Sequence, residues 1–282
     1  MAGKRDLGIP LRSEILEAFI LAVSRAGAII LAHRAAGCVV EIKPDQSPVT
    51  VADRDSEAEI LAHVRRVLGN IPVVAEESIS KGLVDFDPTR PFIVVDPIDG
   101  TKEFIEGRTE FTVNLALIEN RKPVLGVIYA PALETLYVGG GGEAFGGWLD
   151  PGEPLSALRG RRTLRCRVPD ENRIIAVASR KHLDPATRAY LDKLPGAECI
   201  YRGSSIKFCI IADGQADLYP RLDPISEWDT AAGQAILEAA GGALEGLDGK
   251  PFIYGKIETG FLNTGFIARG APPSEDVPSG GH

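Results

Sequence analysis

Two aspartates in one short segment are the residues of this sequence most suited to chemistry. A predicted buried strand leads directly into the segment DPIDGT, residues 96–101. Gly100 permits a sharp turn there, so Asp99 can fold back beside Asp96 while the carbonyl of Ile98 stays free. Two carboxylates and one carbonyl within a few residues form the oxygen set that Mg²⁺ prefers, with water and a phosphate completing its shell.

The same segment also fits a purely structural role, because a strand, an Asx turn and a helix capped by Thr101 produce such a pattern without any cation. Three further acidic positions favour the cation. Glu76 closes the neighbouring predicted strand, Asp53 lies early in a predicted helix, and Asp229 opens another helix. Carboxylates gathered at several element ends would repel one another, and divalent cations would relieve that repulsion.

A second class of phosphatase, the haloacid-dehalogenase type, also places an aspartate pair at a strand end. That class resembles D-x-D-G-T, in which the two aspartates are two positions apart. Here Asp96 and Asp99 are three positions apart. The sequence therefore excludes a phospho-aspartate mechanism.

The elements that must position these side chains follow from periodicity and turn residues. They predict helices over 11–36, 49–68, 185–194, 204–211 and 230–240, and strands over 71–75, 92–95, 111–119, 123–130, 173–178, 199–202 and 216–219. Ser13 is predicted to cap the first helix and Gly37 to end it. The glycines at 139–142 and 146–147 predict loops. Periodicity breaks near 150–160, which predicts an N-terminal lobe over 1–155, a C-terminal lobe over 156–270 and a flexible tail over 271–282.

Composition places the chain among ordinary globular proteins. Its 282 residues are 44% hydrophobic and 25% charged, and 31 Lys and Arg against 39 Asp and Glu give a net charge of −8. This acidic balance disfavours binding to nucleic acid, which needs a basic face. The four cysteines form no C-x-x-C pair, residues 1–11 do not resemble a secretory signal, and the most apolar stretch, 19–32, is too short to cross a bilayer. We expect a cytoplasmic protein with reduced thiols.

Three blocks of sequence carry a resemblance to a known family. They are AEES at 75–78, DPIDGT at 96–101 and WDTAAG at 228–233. In this order and spacing they resemble the lithium-sensitive, Mg²⁺-dependent phosphatases that include inositol monophosphatase, over about residues 10–268. The resemblance implies an α/β fold, the layered α-β-α-β-α sandwich of the inositol monophosphatase and fructose-1,6-bisphosphatase type, and inhibition by Li⁺.

A narrower resemblance points to the CysQ branch of this family. Its carriers are TKEF at 101–104, YRGSSIKFC at 201–209, DLYPR at 217–221 and EWDTAAGQ at 227–234. The branch implies a 3′(2′),5′-bisphosphate nucleotidase, in which activated water converts adenosine 3′,5′-bisphosphate to AMP and phosphate and so removes a by-product of sulfur assimilation. One departure is LDPI at 222–225, where a glycine before the proline is expected, so the loop near the ribose differs.

The resemblance also implies the roles of individual residues. The ligands of two or three Mg²⁺ ions would be Glu76, Asp96, the carbonyl of Ile98, Asp99 and Asp229, with Glu77 in support of Glu76. The catalytic residues would be Asp53, Thr101 and Glu76, the first two activating the water. The substrate-binding residues would be Ser204, Lys207, Arg221, His182, Gly100 and Asp229.

Several alternatives remain open from the sequence. An inositol-1-monophosphatase or a broad-specificity sugar phosphatase would use the same ligands, and a non-enzymatic relative could keep the fold. The Ser-Ser-x-Lys sequence at 204–207 also fits a plain helix cap with a solvated lysine. We expect a small nucleotide bisphosphate as the partner, no transmembrane segment, a monomer or a homodimer, and a cytoplasmic location that leaves peripheral association with the inner membrane open.

Overall fold

Two large mixed β-sheets, two small two-stranded sheets and seven α-helices are the main elements in the part of the chain that the computed structural model describes. That part comprises residues 12–43, 47–79, 86–170, 173–181, 183–194 and 196–272. The helices are α1 (Arg12–Ala36), α2 (Val51–Leu68), α3 (Glu76–Ile79), α4 (Thr101–Ile105), α5 (Pro185–Leu191), α6 (Ile206–Ala212) and α7 (Ala231–Ala239). The strands are β1 (Val40–Ile42), β2 (Pro48–Thr50), β3 (Val73–Ala75), β4 (Phe92–Asp99), β5 (Thr112–Glu119), β6 (Lys122–Ala130), β7 (Thr135–Gly140), β8 (Glu143–Trp148), β9 (Arg159–Thr163), β10 (Ile175–Ser179), β11 (Glu198–Arg202), β12 (Leu218–Arg221), β13 (Ile225–Ser226), β14 (Ala243–Gly246), β15 (Leu262–Asn263) and β16 (Phe266–Arg269). The two small sheets are β1–β2 and β13–β15.

Helices and sheets alternate in five layers. Helices α1 and α2 cover one face of a seven-stranded sheet with the order β3-β4-β5-β6-β7-β8-β9, in which the β3–β4 pair is parallel and the other pairs are antiparallel. Helices α6 and α7 lie between this sheet and a five-stranded sheet of order β11-β10-β12-β16-β14, and α5 packs on β12. The predicted α-β-α-β-α sandwich is thereby confirmed. One hydrophobic core lies under α1 and α2, and the other surrounds α6 and α7.

Helix α1 owes its apolar character to this packing. It is the one helix within the described ranges that is long and apolar enough, by length and composition, to cross a membrane. The sequence prediction considered only residues 19–32, which are too few to cross a bilayer. The whole helix is longer, so its length alone does not exclude a membrane span. More than half of its most apolar window is buried, where Phe19, Ile20 and Val23 contact the core. The predicted cap at Ser13 is wrong, because Ser13 lies inside the helix, whereas Gly37, with a φ of 82°, follows its end as predicted.

Glycines inside the first sheet correct a second prediction. Gly139 lies within β7 and Gly146 within β8, so neither belongs to a loop. A Cβ on Gly139 would collide with the Cα of Ile236, and one on Gly126 in β6 would collide with the backbone of Ala232. Glycine is needed at these positions because α7 lies directly against the strands.

The division into two lobes stays a prediction. Strand β9 pairs with β8 and reaches Thr163, so the first sheet extends past the predicted boundary at residues 155 and 156. The predicted flexible tail at 271–282 lies almost entirely outside the described residues.

Candidate active site

Strand β4 delivers the two aspartates of the DPIDGT segment. It is longer than predicted and buried along nearly its whole length, from Phe92 to Ile98. Its pairing with β5 shifts register between Asp96 and Asp99, and such an irregularity re-aims the side chains around it. Gly100 then adopts a φ of 94°, a left-handed conformation that favours glycine, and α4 begins at the next residue. The predicted sharp turn is therefore present.

Asp229 joins these aspartates from the other side of the site. It ends a short 3₁₀ turn, Glu227–Asp229, that packs against β4 and leads into α7. Asp96, Asp99 and Asp229 each offer a carboxylate oxygen, and these oxygens lie within 4.8 Å of one another. Asp96 is 1% exposed, and its Oδ1 has no hydrogen-bond partner among the described residues. A buried, unpartnered carboxylate oxygen in a group of three fits a bound divalent cation.

The electrostatics of the cluster also favour a cation. Burial raises the pKa of Asp96 well above its ordinary value, and the charges of Glu76 and Asp99 add to the rise. Burial likewise raises the pKa of Asp229 to about 7, with a further contribution from Asp99 and an opposing one from Arg221. These carboxyl groups are costly to ionise together unless a positive charge offsets them.

Glu76 lies beside this cluster and is paired with a lysine. It begins α3 directly after β3, and its Oε1 accepts a hydrogen bond of 2.9 Å from Lys43 Nζ, which also donates to Glu77 at 2.5 Å. Burial raises the pKa of Glu76 to about 8, although Lys43 opposes the shift. Both glutamates contact the lysine, so their order as ligands stays a prediction. The sequence did not single out Lys43, which lies in a loop without any motif.

Asp53 and Thr101 lie within hydrogen-bond distance of each other. Asp53 occupies the first turn of α2, where its Oδ2 accepts bonds of 2.7 Å from both the backbone N–H and the hydroxyl of Thr50. Its Oδ1 is 3.2 Å from Thr101 Oγ1, which is also 3.1 Å from the carbonyl oxygen of Ile98. This arrangement brings together the two residues predicted to activate water.

Basic side chains approach the acidic cluster from helix α6 and from the second sheet. Lys207 in α6 is 4% exposed and donates to the carbonyl oxygen of Ser204, and both it and Arg221 lower the pKa of Asp229. Arg221 ends β12, and its Nε is buried without a hydrogen-bond partner within the described ranges. Three of the predicted substrate residues are thus gathered near the carboxylates, whereas His182 lies outside the described residues.

Two further polar residues also belong to the site: Ser205, which the sequence predicted only as part of an anion site or a helix cap, and Asn114, which it did not single out. Ser205 Oγ contacts Asp99 Oδ2, lies 3.0 Å from the carbonyl oxygen of Asp229, and accepts a bond of 2.9 Å from Asn114 Nδ2. Asn114 lies on β5 directly opposite Asp96. The one available signal for Asn114 was its position among the apolar residues 113–118 of β5.

This fold and this site define a member of a phosphatase family. The chain matches the model of the inositol monophosphatase family over residues 11–269, and it belongs to that family. The 3′(2′),5′-bisphosphate nucleotidase CysQ of Salmonella typhimurium is 44% identical over 224 residues, which are 79% of this chain and 86% of that protein. The CysQ protein of Escherichia coli K12 is 41% identical over the same shares.

Solved structures agree with this assignment. The crystal structure of CysQ from Bacteroides thetaiotaomicron, described as a bacterial member of the inositol monophosphatase family, has a TM-score of 0.75 and 35% identity. The match covers 92% of this chain and 97% of that one. The resemblances to the family and to its CysQ branch are therefore confirmed.

Proposed function

We propose that this chain is a Mg²⁺-dependent 3′(2′),5′-bisphosphate nucleotidase that hydrolyses the 3′-phosphate of adenosine 3′,5′-bisphosphate, leaving AMP and phosphate. The observation that carries the proposal is the position of two basic side chains, the buried Lys207 and the partly buried Arg221, beside the acidic cluster. A substrate with two separate phosphates would satisfy both halves of this site. The relatives named CysQ support the same choice.

The proposed cation ligands are the carboxylates of Glu76, Asp96, Asp99 and Asp229 and the carbonyl of Ile98. The donor set is entirely oxygen, as Mg²⁺ requires, and the unpartnered Oδ1 of Asp96 fits it. Two or three bound Mg²⁺ ions would lower the pKa of water and neutralise charge on the phosphate.

The proposed task of Thr101 is to orient the attacking water. When its hydroxyl donates to the ionised Oδ1 of Asp53, the oxygen of Thr101 is left as an acceptor for a proton of that water. Thr50 holds the other oxygen of Asp53 and so fixes the direction of this hydrogen bond. No basic residue contacts Thr101 in the described structure, so a covalent role for its hydroxyl has no support.

The proposed task of Arg221, Lys207 and Ser204 is to hold the second phosphate. A buried guanidinium N–H without a partner is ready to donate to an anion, and a hydrogen bond between charged groups is worth about 1.5–3 kcal/mol. An inositol monophosphate has no second phosphate for these groups. The roles of His182 and Gly100 in binding, residence in the cytoplasm, and the choice between monomer and homodimer stay predictions.

A panel of phosphate-release assays tests the proposal. We expect Mg²⁺-dependent release from adenosine 3′,5′-bisphosphate, with kcat/KM about 10–100-fold above that for adenosine 3′-phosphate, which lacks the second anion. Lithium titrated into the same assay should inhibit. Faster hydrolysis of inositol 1-phosphate than of the bisphosphate would instead support the alternative, a monophosphatase.

Substitution of Arg221 tests whether a preference for the bisphosphate over the monophosphate comes from the proposed second-phosphate site. Arg221→Leu should abolish most of the advantage of the bisphosphate over adenosine 3′-phosphate while leaving hydrolysis of the monophosphate nearly unchanged. Arg173→Leu, which removes an exposed arginine paired with Glu198 on the surface, is the control. An equal loss with both substrates would contradict the assignment of Arg221 to the second phosphate.

A further inference from the structure

A single hydroxyl group joins the cation cluster to the segment proposed to bind the second phosphate. Ser205 is 3% exposed and directly precedes α6, one residue after Ser204 and two before Lys207. Its Oγ contacts the carboxylate of Asp99, which belongs to the cluster, although 106 residues separate the two in sequence. Ser205 therefore belongs to the phosphate segment by sequence and to the cation site by contact.

The surroundings of this hydroxyl fix where its proton points. A serine hydroxyl has one proton to donate, and Asn114 Nδ2 already donates to its oxygen at 2.9 Å. The remaining acceptors are Asp99 Oδ2 and the carbonyl oxygen of Asp229, which lies 3.0 Å away. The carboxylate is the stronger acceptor and the closer one, so the proton goes to Asp99.

We propose that Ser205, held by Asn114, is a positioning residue that fixes the orientation of the Asp99 carboxylate for cation binding. The identity of the substrate rests on the proposed function, but the effect on cation affinity does not. One oxygen of Asp99 is held by Ser205, so the carboxylate no longer rotates freely between the cluster and the surrounding protein. A ligand held in this way loses less conformational freedom when the cation binds.

The contact between Ser205 and Asp99 connects the cation cluster with the segment 203–207, which is proposed to bind the second phosphate. Ser204 adopts a φ of 48°, which is uncommon for a residue other than glycine, and Lys207 donates to its carbonyl oxygen. A Cβ on Gly203 would lie 2.8 Å from the carboxylate carbon of Glu103, so the Glu103 side chain packs closely against this backbone. Because Ser204 and Ser205 are adjacent in the chain, we expect an anion that moves the backbone of Ser204 to move Ser205 as well.

Cation binding to the full-length chain, freed of metal and without substrate, tests the proposal. Mn²⁺ serves as the probe, and isothermal titration or the electron paramagnetic resonance signal of free Mn²⁺ reports its affinity. Ser205→Ala should weaken Mn²⁺ binding by about 10–100-fold, the range seen when a group that orients a metal ligand is lost. Ser24→Ala removes a buried hydroxyl in α1, far from the site, and should bind Mn²⁺ like the unaltered chain.

Stability measurements separate positioning from a merely structural role. If Ser205 only satisfied a buried hydrogen bond, Ser205→Ala would lower the melting temperature of the metal-free chain and leave Mn²⁺ affinity within about twofold of the original. That result would overturn the proposal. A weaker affinity together with a normal melting temperature of the metal-free variant would support it.

Asn114→Ala is a second variant, which tests the positioning of Asp99 even if Ser205→Ala does not fold. Loss of the amide leaves the hydroxyl free to turn away from Asp99, so Mn²⁺ affinity should fall by at least about threefold, and unchanged affinity would contradict the role given to Asn114. The double variant should bind no more weakly than Ser205→Ala alone, because both changes remove the same interaction. If the chain releases no phosphate in the assay panel, the proposed nucleotidase function is refuted. The Mn²⁺ affinities still test the role of Ser205, because they are measured without substrate.

Discussion

The hydroxyl of Thr101 illustrates how one proton determines what a residue can do. It has two acceptors within reach, Oδ1 of Asp53 at 3.2 Å and the carbonyl oxygen of Ile98 at 3.1 Å. Donation to Asp53 leaves both lone pairs of the Ile98 carbonyl oxygen free for a cation. The ionised form of Asp53 is therefore the form that suits the proposed chemistry, although burial raises its pKa.

Asp53→Asn should reverse this hydrogen bond without changing the shape of the side chain. Both groups of Thr50 that face Asp53 are donors, so the amide oxygen would turn towards Thr50 and the amide nitrogen towards Thr101. The Thr101 oxygen would then accept from Asn instead of from water. We expect kcat to fall by about 10²–10⁴-fold with little change in KM, measured by phosphate release.

Thr101→Ser is the matched control for that experiment, because it keeps the hydroxyl. It should retain activity within about tenfold of the original. An Asp53→Asn variant with normal kcat would show that Asp53 has only its capping role in α2.

Residues of the site differ in how far the sequence revealed them. Asp96 and Asp99 were predictable because a local turn brings them together. Ser205 and Asn114 were not, since their contacts join elements 91 residues apart in the chain and depend on the packing of whole layers. The two serines before α6 were predicted only as an anion site or a cap, and the second of them contacts the cation cluster instead.

At the scale of elements, the glycines of the first sheet determine how closely α7 can approach. The sequence predicted loops at 139–142 and 146–147, because glycine in a strand weakens it and usually marks a turn or a bulge. The need for glycine is visible only once α7 lies on the sheet, where Gly126 faces Ala232 and Gly139 faces Ile236. Helix α7 begins two residues after Asp229, so this close packing also sets the position of a proposed cation ligand.

Gly139→Ala should therefore be strongly destabilising and should also impair the site. The new methyl group would meet backbone rather than a movable side chain, and overpacking of this kind costs about 1–3 kcal/mol or more. Urea denaturation measures the free energy of unfolding. Gly249→Ala is the control, because it has a positive φ of 71° and open space around it, and it should show backbone strain alone. Equal losses in the two variants would contradict the packing argument.

A salt bridge between two loop residues, Glu110 before β5 and Arg180 after β10, supports the phosphate segment from outside. Glu110 accepts two hydrogen bonds from the Arg180 guanidinium, which also donates to the carbonyl oxygen of Tyr201 at 3.0 Å. The Arg180 side chain holds the pKa of Glu110 below its ordinary value, and the backbone N–H of Gly203 contributes. The pair thus fixes the chain just before Ser204.

Glu110→Ala should raise KM for adenosine 3′,5′-bisphosphate by about tenfold, because the segment that holds Ser204 loses its anchor, while Mn²⁺ affinity stays near normal. Steady-state kinetics and Mn²⁺ titration measure the two effects. Glu198→Ala, which breaks an exposed pair with Arg173, should change neither value. A loss of Mn²⁺ affinity with unchanged KM would show that Glu110 acts on the cation site instead.

At the scale of the whole molecule, the site lies where several layers meet. Asp53 comes from the first helical layer, Asp96 from the seven-stranded sheet, Lys207 from the middle helices and Arg221 from the five-stranded sheet. The layered sandwich could be predicted through the resemblance of three short blocks. Sheet order and the strands after residue 240 could not, because they depend on pairings between distant segments. A ligand bound at this junction would link all four layers.

Cation binding should therefore stabilise the entire fold, and the gain should depend on pH. Burial raises the pKa of Glu76 from 4.5 to about 8 and that of Asp229 from 3.8 to about 7. Between the ordinary and the raised values the folded chain holds protons that the unfolded chain releases, so these two groups lower the stability of the metal-free protein as pH rises. Mg²⁺ competes with the same protons, and its stabilising effect should grow over that range.

Thermal unfolding with and without Mg²⁺ measures this dependence. At a concentration about 100-fold above Kd the ion should add about 2.7 kcal/mol, or roughly 5–10 °C in Tm, near pH 8.5, and clearly less near pH 6. In Asp99→Asn the shift should largely disappear at both pH values, because the cluster loses a charge and a ligand, whereas Asp248→Asn, an exposed change in a surface turn, should keep it. A Tm shift of the same size at both pH values would mean that the cation does not displace protons from Glu76 and Asp229.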